Sequence, residues 1–481
     1  MCELSAILAA HQGSGYVVAP AGYGKTYLIA ESTARSAGRQ LILTHTYAGV
    51  NALRRKMHIL GVSDKLYHIN TIASWALRLS LSYSSASGWL EERPADNERW
   101  NALYNACAHL LDHEFIRRIV RASYDGLYVD EYQDCSTVQH GVVLKLARDL
   151  PSRVLGDPLQ GIFDFDGQNP IEWVRDVEGS FEHLGALNVP HRWIQAGAGD
   201  LGAWLTDVRT RLEQGQPVDL NGDRPATVRI IQPVANPQEL FQSQSNTCRY
   251  FNCDPAQTVI AIHKGSQEYK AKCHRLSRSL SGKFSSIEEV EGKALFSFIR
   301  KIDRKQTDAA RLKEVIEFAK RCMTAVGQNL PAGTVRGEHV NIRVNTRNPE
   351  VTSMANAYLA TPSSAAIAGF LKALKKTLGV KVIRTDLFNR ALGMLSKHVL
   401  HPELSLIEAA EKYHSEFRYK GRPVGRRKLI GTTLLVKGLE FDHAIVLDAS
   451  SLSTKELYVA LTRGARSLTI ISLSSVLNAA D

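Results

Sequence analysis

Short runs of apolar residues alternate along the first part of the chain with stretches whose apolar positions recur every three or four residues. Residues 16–19, 40–44, 126–130 and 153–156 read as strands. Residues 25–36, entered through a glycine-rich turn, read as a helix. Strands that alternate with helices predict a parallel sheet with crossover helices. Between 80 and 121 the pattern turns helical behind a Ser-rich entry, which reads as a small insertion.

After Pro190 a second α/β region begins, with strands predicted at 227–232 and 258–263. From 287 to 417 helical periodicity dominates, and 309–322 and 365–378 carry basic residues on their outer faces. Strand patterns return at 429–435, 444–448 and 469–473. The helical block thus interrupts the second α/β region. No internal repeat or low-complexity tract appears.

At 481 residues the chain is too long for one ordinary core. Its 44% hydrophobic and 22% charged residues are those of a globular protein. No apolar run approaches the roughly 20 residues that span a bilayer, and the N-terminus lacks a basic-then-apolar leader pattern. A cytoplasmic location without membrane contact is the expectation. The balance of 59 Lys+Arg against 48 Asp+Glu, a net +11, suits a polyanionic partner. The seven cysteines are scattered, against a disulfide framework. Cys248, Cys253, Cys273 and His274 can be read as metal ligands, but their spacing is atypical and reduced thiols are the favoured reading.

The chemistry enters with A-P-A-G-Y-G-K-T over 19–26, placed after a strand and opening a helix. Such a loop offers backbone N–H groups around Ala19, Gly22, Tyr23 and Gly24 to phosphates. Lys25 would reach the terminal phosphates, and the Thr26 hydroxyl would hold Mg²⁺. Ala19 stands where a first Gly is more usual. The second half is L-Y-V-D-E-Y-Q-D over 127–134, where an apolar strand delivers Asp130 and Glu131 to its carboxyl end. Asp130 would bind Mg²⁺, and Glu131 would orient and activate the attacking water. Alone, either segment has a plain reading as a strand–helix turn or a solvated strand end; together on one sheet they point to an ATP site.

From D-E-Y-Q-D onward the chain resembles the UvrD/Rep branch of superfamily 1 helicases. T-H-T-Y-A-G-V-N-A-L-R over 44–54 looks like the family's T-F-T-N-K-A-A-A-E-M-R, and T-I-A-S-W-A-L-R over 71–78 is similar to T-F-H-S-x-A-x-R. L-G-D-P-L-Q-G-I-F over 155–163 resembles V-G-D-D-D-Q-S-I-Y, and L-N-V-P-H-R over 187–192 resembles L-x-x-N-Y-R. V-K-G-L-E-F over 436–441 and L-Y-V-A-L-T-R over 457–463 complete the series. The resemblance covers both α/β regions and is thin in the helical block.

It implies an α/β fold of two RecA-like parallel-sheet domains, each with a helical insertion, small in the first and larger in the second. The first domain would comprise 1–79 and 122–190 around the insertion 80–121. The second would comprise 191–286 and 426–481 around 287–425. It further implies Gln160 as γ-phosphate sensor and Arg192 and Arg463 as arginine fingers from the second lobe. Glu440 would contact the ribose or tie the second lobe to nucleotide, and His191 would stack on the base. Single-stranded DNA, or a tailed duplex, would run along Thr46, Tyr47, Trp75, Phe163 and Phe165, with core packing as the alternative for Trp75 and Phe163. Polarity would be 3′-to-5′.

The departures fall mostly on the strand side. Tyr47 replaces Asn, His45 replaces Phe, Ala73 and Leu434 stand where His is usual, and Asp166 replaces Arg. No adenine-reading Gln precedes the phosphate loop. The basic stretch 418–428 reads as a linker that could also touch phosphates. By size and motif style the chain resembles the helicase-like subunit of two-component anti-phage systems such as Gabija, whose partner is a nuclease with an ATPase domain. A translocase or helicase in defence or repair is therefore expected. A DNA-end-sensing ATPase subunit with little unwinding of its own is the alternative.

Overall fold

The computed structural model describes residues 2–92, 94, 96–162, 169–289, 292–420 and 427–477. The first lobe is a six-stranded sheet built from β1 (Ser14–Val18), β2 (Gln40–Thr44), β3 (Tyr67–Thr71), β4 (Gly126–Val129), β5 (Ser152–Gly156) and β6 (Glu182–Ala186). The order is β3-β2-β4-β5-β1-β6 and every pairing is parallel. The central strands β2, β4 and β5 are buried along their whole length, as expected where helices cover both faces. Strands β3 and β6 were not marked in the sequence. The edge strand β6, Glu-His-Leu-Gly-Ala, is half-exposed and polar, so it lacks the apolar run that identifies a buried strand.

The second lobe begins with β7 (Val218–Asp219) and continues with β8 (Val228–Ile231), β9 (Val259–His263) and β10 (Ser285–Ser286). It resumes after the helical block with β11 (Lys428–Thr432), β12 (Phe441–Val446), β13 (Gly464–Ile471) and β14 (Val476–Leu477). Six of these form a second parallel sheet in the order β10-β11-β9-β12-β13-β8, while β7 and β14 pair antiparallel. The fold is thus α/β with two parallel sheets, as read from the sequence. One local expectation is corrected: the run 429–435 does not stay extended, because β11 ends at Thr432 and Thr433–Val436 forms a helical turn. A continuous apolar run carries no period that separates the two.

Helices Asn97–Leu110 and Glu114–Ser123 place Tyr104, Cys107, Leu110, Ile116 and Val120 in the same apolar cluster as Leu41, Leu127 and Val129, so they act as a cover for the first sheet. The block between β10 and β11 has a core of its own. Its helices, from Lys293–Asp303 to Leu406–Lys420, gather Phe298, Phe318, Phe370, Phe388 and Met394, with the Phe298 and Phe318 rings stacked at 3.8 Å. The block is tied to the second lobe at β10, where Ser286 N–H donates to Ile383 O at 3.0 Å and Ser285 Oγ to Thr385 Oγ1 at 3.1 Å; beside them Arg384 Nε donates to Glu288 Oε1 at 2.7 Å.

Between the lobes a single apolar cluster runs from Val17 and Leu28 through Trp193, Leu201 and Leu205 to Tyr458, Leu461 and Ile470. The lobes therefore meet as a packed interface, at the edge formed by the carboxyl ends of the first sheet's strands. Cys248 and Cys273 sit in an apolar cluster of the second lobe. No helix among the described residues is long and apolar enough to cross a membrane.

Candidate nucleotide site between the lobes

Three neighbouring strands, β4, β5 and β1, deliver the candidate residues of the first lobe. The carboxyl end of β1 runs into the loop 19–26, where Ala19 N–H donates to Gly156 O at 2.8 Å and so anchors the loop to β5. Gly22 (φ 78°) and Gly24 (φ 97°) take left-handed backbone, which lets the loop curl before helix Lys25–Arg35 begins. At Gly22 a Cβ would stand 2.9 Å from the Trp193 ring and 3.0 Å from Arg192 Cβ. Only a residue without a side chain allows the second lobe to approach the loop this closely.

Strand β4 ends at Val129, and Asp130 and Glu131 follow. Glu131 is a non-glycine residue in the left-handed region (φ 56°), a strained conformation typical of functional turns. Lys25 Nζ lies 2.6 Å from Glu131 and 3.4 Å from Asp130. Burial alone would lower the Lys25 amine, but the Glu131 and Asp130 carboxylates outweigh it and hold the amine above its ordinary value. Burial raises Asp130, whereas Glu131, although buried, is held down by Lys25 and Lys437. Of the pair, Glu131 is the stronger acid. Gln133 Nε2 donates to Glu131 Oε2 at 2.5 Å, fixing its orientation.

The second lobe closes the site with three cations. Arg192 N–H donates to Gly22 O at 2.9 Å, while its guanidinium donates to Thr462 O at 2.7 Å and pairs with Glu440. Arg463 is 1% exposed; its Nη2 donates to Gln160 Oε1 at 3.3 Å and its Nε to Val459 O at 2.9 Å. Burial, and after it the neighbouring Arg192, brings Arg463 down to about 10. Lys437 reaches back to Asp134 and to the carbonyl of Gln160. Cations buried this close together are costly unless an anion joins them. A triphosphate with a divalent cation fits this donor set: amine and guanidinium groups for phosphate oxygens, the Thr26 hydroxyl and Asp130 carboxylate for the ion.

Lys25, Asp130, Glu131, Gln160, Arg192, Glu440 and Arg463 are thus brought together, with Thr26 in the first turn of the phosphate-loop helix. His191, half-buried, opens the helix His191–Gln195 beside Arg192. The Tyr23 side chain turns away from the loop: its ring is 4% exposed against Trp193, and its hydroxyl pairs with Thr206 Oγ1 at 2.6 Å. The sequence reading gave no role to Asp134, Asp157 or Lys437, although all three stand inside the motifs it quoted. Arg209, which donates to Asp157 at 2.8 Å, lies on an amphipathic helix with no motif to mark it.

The residues proposed for a strand do not form a comparable group. Thr46 caps helix Tyr47–Ile59, accepting from Gly49 N–H at 3.0 Å. Tyr47 pairs with Ser74 Oγ at 2.7 Å. Trp75 is 5% exposed in the first-lobe core, the core-packing alternative. Phe163 and Phe165 lie outside the described residues.

Residues 95–176, which include the Asp130–Glu131 strand end and Gln160, match the UvrD/REP helicase N-terminal domain. No curated protein matches the chain. Among solved structures, the arterivirus nonstructural protein 10 helicase with DNA aligns over 98% of this chain and 62% of its own, at 11% identity and a TM-score of 0.36. The chain therefore spans less than two thirds of that relative's length. The Pif1 helicase from Candida albicans aligns over 96% of this chain and 92% of its own, at 10% identity and a TM-score of 0.37. A Bacteroides Pif1 helicase, in complex with ADP-AlF3 and single-stranded DNA, aligns over 56% and 52%, at 11% identity and a TM-score of 0.28.

Proposed function

We propose that the chain hydrolyses ATP between its two lobes and uses the cycle to move along single-stranded DNA, with the 3′-to-5′ polarity that the resemblance to the UvrD/Rep branch implies. One observation carries the reading: Gln160 of the first lobe meets Arg463 and Lys437 of the second beside the Lys25–Glu131 pair. Hydrolysis needs positive charge on the transferring phosphoryl group and an oriented water. Lys25, Arg192 and Arg463 supply the charge, and the ionised Glu131 orients the water and accepts its proton. Thr26 and Asp130 would hold a magnesium ion, which when bound neutralises charge on the phosphates. Because the cations come from both lobes, the site is complete only when the lobes are together, so turnover and lobe movement are coupled.

The test is phosphate release by the purified chain with and without single-stranded DNA, RNA and duplex. DNA-stimulated release that is lost in Lys25→Ala supports the reading; stimulation that survives the substitution sinks it. The internal bonding of Thr46, Tyr47 and Trp75 favours a second reading, an end-sensing ATPase subunit that unwinds little and works with a nuclease in defence. A tailed duplex separates the two: strand separation by the chain alone rejects the second reading, and brisk ATPase without separation rejects the helicase form of the first.

A further inference from the structure

Helix Gly199–Glu213 belongs to none of the motif segments, yet one of its faces reaches the phosphate-binding loop. Gly202, Thr206, Arg209 and Glu213 recur at four-, three- and four-residue spacing and share a stripe. At Gly202 a Cβ would stand 3.0 Å from Trp193 Cβ and 3.1 Å from Pro190 Cγ, so the helix is seated directly on the Arg192 segment. One turn on, Thr206 Oγ1 pairs with the Tyr23 hydroxyl of the phosphate loop at 2.6 Å. Another turn on, Arg209, 6% exposed, donates through Nη1 to Asp157 Oδ1 at 2.8 Å and to the Tyr458 hydroxyl oxygen at 2.9 Å.

Asp157 is fully buried, and both of its oxygens are engaged. Oδ1 accepts from Arg209 and from Leu159 N–H at 3.3 Å; Oδ2 accepts from Ala21 N–H at 3.2 Å and from Gln160 Nε2 at 2.8 Å. The other end of the Gln160 amide accepts from Arg463, which follows the helix Thr454–Leu461 that carries Tyr458. The bonds Arg209–Asp157–Gln160–Arg463 and Arg209–Tyr458 therefore join the lobes around a closed path. A buried carboxylate that loses its guanidinium cannot stay as it is, because an unpaired buried charge is costly. Its remaining donors, Ala21 and Gln160, must then move with it.

We infer that Arg209 is a positioning residue: through Asp157 it sets the orientation of the Gln160 amide and the entry of the loop 19–26. Lobe closure then reaches the γ-phosphate sensor through helix Gly199–Glu213 as well as through Arg192 and Arg463. The inference rests on the proposed hydrolase reading for its meaning, but its geometry can be tested without turnover.

The experiment compares the full wild-type chain with Arg209→Lys and Tyr458→Phe by hydrogen-exchange mass spectrometry, thermal melting and steady-state ATPase kinetics. Lysine keeps the charge but lacks the fork that engages Asp157 and Tyr458 together. Arg209→Lys is expected to speed exchange in peptides covering 19–26 and 156–161, and to lower kcat by about tenfold or more with KM within about threefold. Tyr458→Phe leaves the Asp157 pair intact and is expected to stay within about threefold of wild type in kcat. Faster exchange confined to 199–213, or an unchanged kcat in Arg209→Lys, overturns the inference. If the wild type itself does not hydrolyse ATP, the hydrolase reading falls, and the exchange pattern alone decides whether Arg209 positions Gln160 and the loop. Should Arg209→Lys not fold, Asp157→Asn carries the same comparison, with the same outcomes.

Discussion

On the nucleotide side of the cleft, polar side chains are held across the lobe boundary: Gln160 by Arg463, Asp134 by Lys437, Asp157 by Arg209 and Tyr23 by Thr206. On the neighbouring face of the first lobe, Thr46, Tyr47 and Trp75 are held by their own lobe, through a helix cap, a serine and the core. The first arrangement exists only while the lobes are together; the second is indifferent to where the other lobe stands. Residues that must report closure are therefore bonded to what closes, and residues bonded locally are scaffold first.

The largest effect that tests this contrast belongs to Arg463. Its replacement by Ala is expected to lower DNA-stimulated phosphate release by about a thousandfold or more, the range for an arginine acting on a transferring phosphoryl group. A loss of tenfold or less would place Arg463 among the scaffold. Glu131→Gln removes the ionised group while keeping its shape, and turnover is expected to fall by about 10²–10⁴-fold with nucleotide affinity retained. Equilibrium binding of a fluorescent ATP analogue beside single-turnover hydrolysis checks the split.

The Arg384–Glu288 pair, beside the attachment of the helical block, is scaffold of a different kind. Arg384→Met removes the guanidinium that engages both oxygens of the buried Glu288 and is expected to cost about 3–5 kcal/mol, read from chemical denaturation. Burial would raise Glu288, but the Arg384 hydrogen bond and then His274 hold it down to about 2. A carboxylate whose folded value lies below its unfolded one contributes stability above the unfolded range and loses it as pH falls through the folded value. In Arg384→Met the guanidinium no longer opposes burial, which raises Glu288, so the difference from wild type should be largest near neutral pH and shrink as pH falls from there toward about 2.

The smallest effects fall on the strand side. Trp75→Phe is expected to cost on the order of 1–2 kcal/mol of stability, with oligonucleotide affinity in fluorescence anisotropy unchanged. A tenfold loss of affinity at constant stability would make Trp75 a strand contact. Thr46→Ala removes one helix cap and should cost about 1 kcal/mol in melting experiments.

The same contrast explains what could be read before the fold was known. Phosphate chemistry demands particular residue types at fixed spacing after a strand, so Lys25, Asp130 and Glu131 stand out in the chain, while Gln160 is reached through the resemblance to a family motif. Both parallel sheets are legible for a related reason, since most of their buried strands carry a short apolar run. Aromatic residues near a motif carry no such constraint: Trp75 satisfies a helical core and a stacking platform equally well. Arg209 is less visible still, because a cation on an amphipathic helix looks like solvated surface until the fold places Asp157 against it. Strand β6 and the two-residue β10 were missed because an exposed or very short edge has no apolar period to reveal it.

The parallel pairing of β10 with β11 gives the helical block a particular standing in the chain. Two adjacent parallel strands cannot be joined by a tight turn, since the chain leaves one at its carboxyl end and must re-enter the other at its amino end. The block is that return journey, enlarged into a folded unit with its own core. Excising it between Ser286 and Lys428 and sealing the gap with a two-residue turn would tear β10 from the sheet. A replacement needs a dozen or so residues to travel the length of the strand. Shortened versions of this protein should thus be planned as rerouted crossovers, and a graft into this position inherits both ends of the second lobe's sheet as its points of attachment.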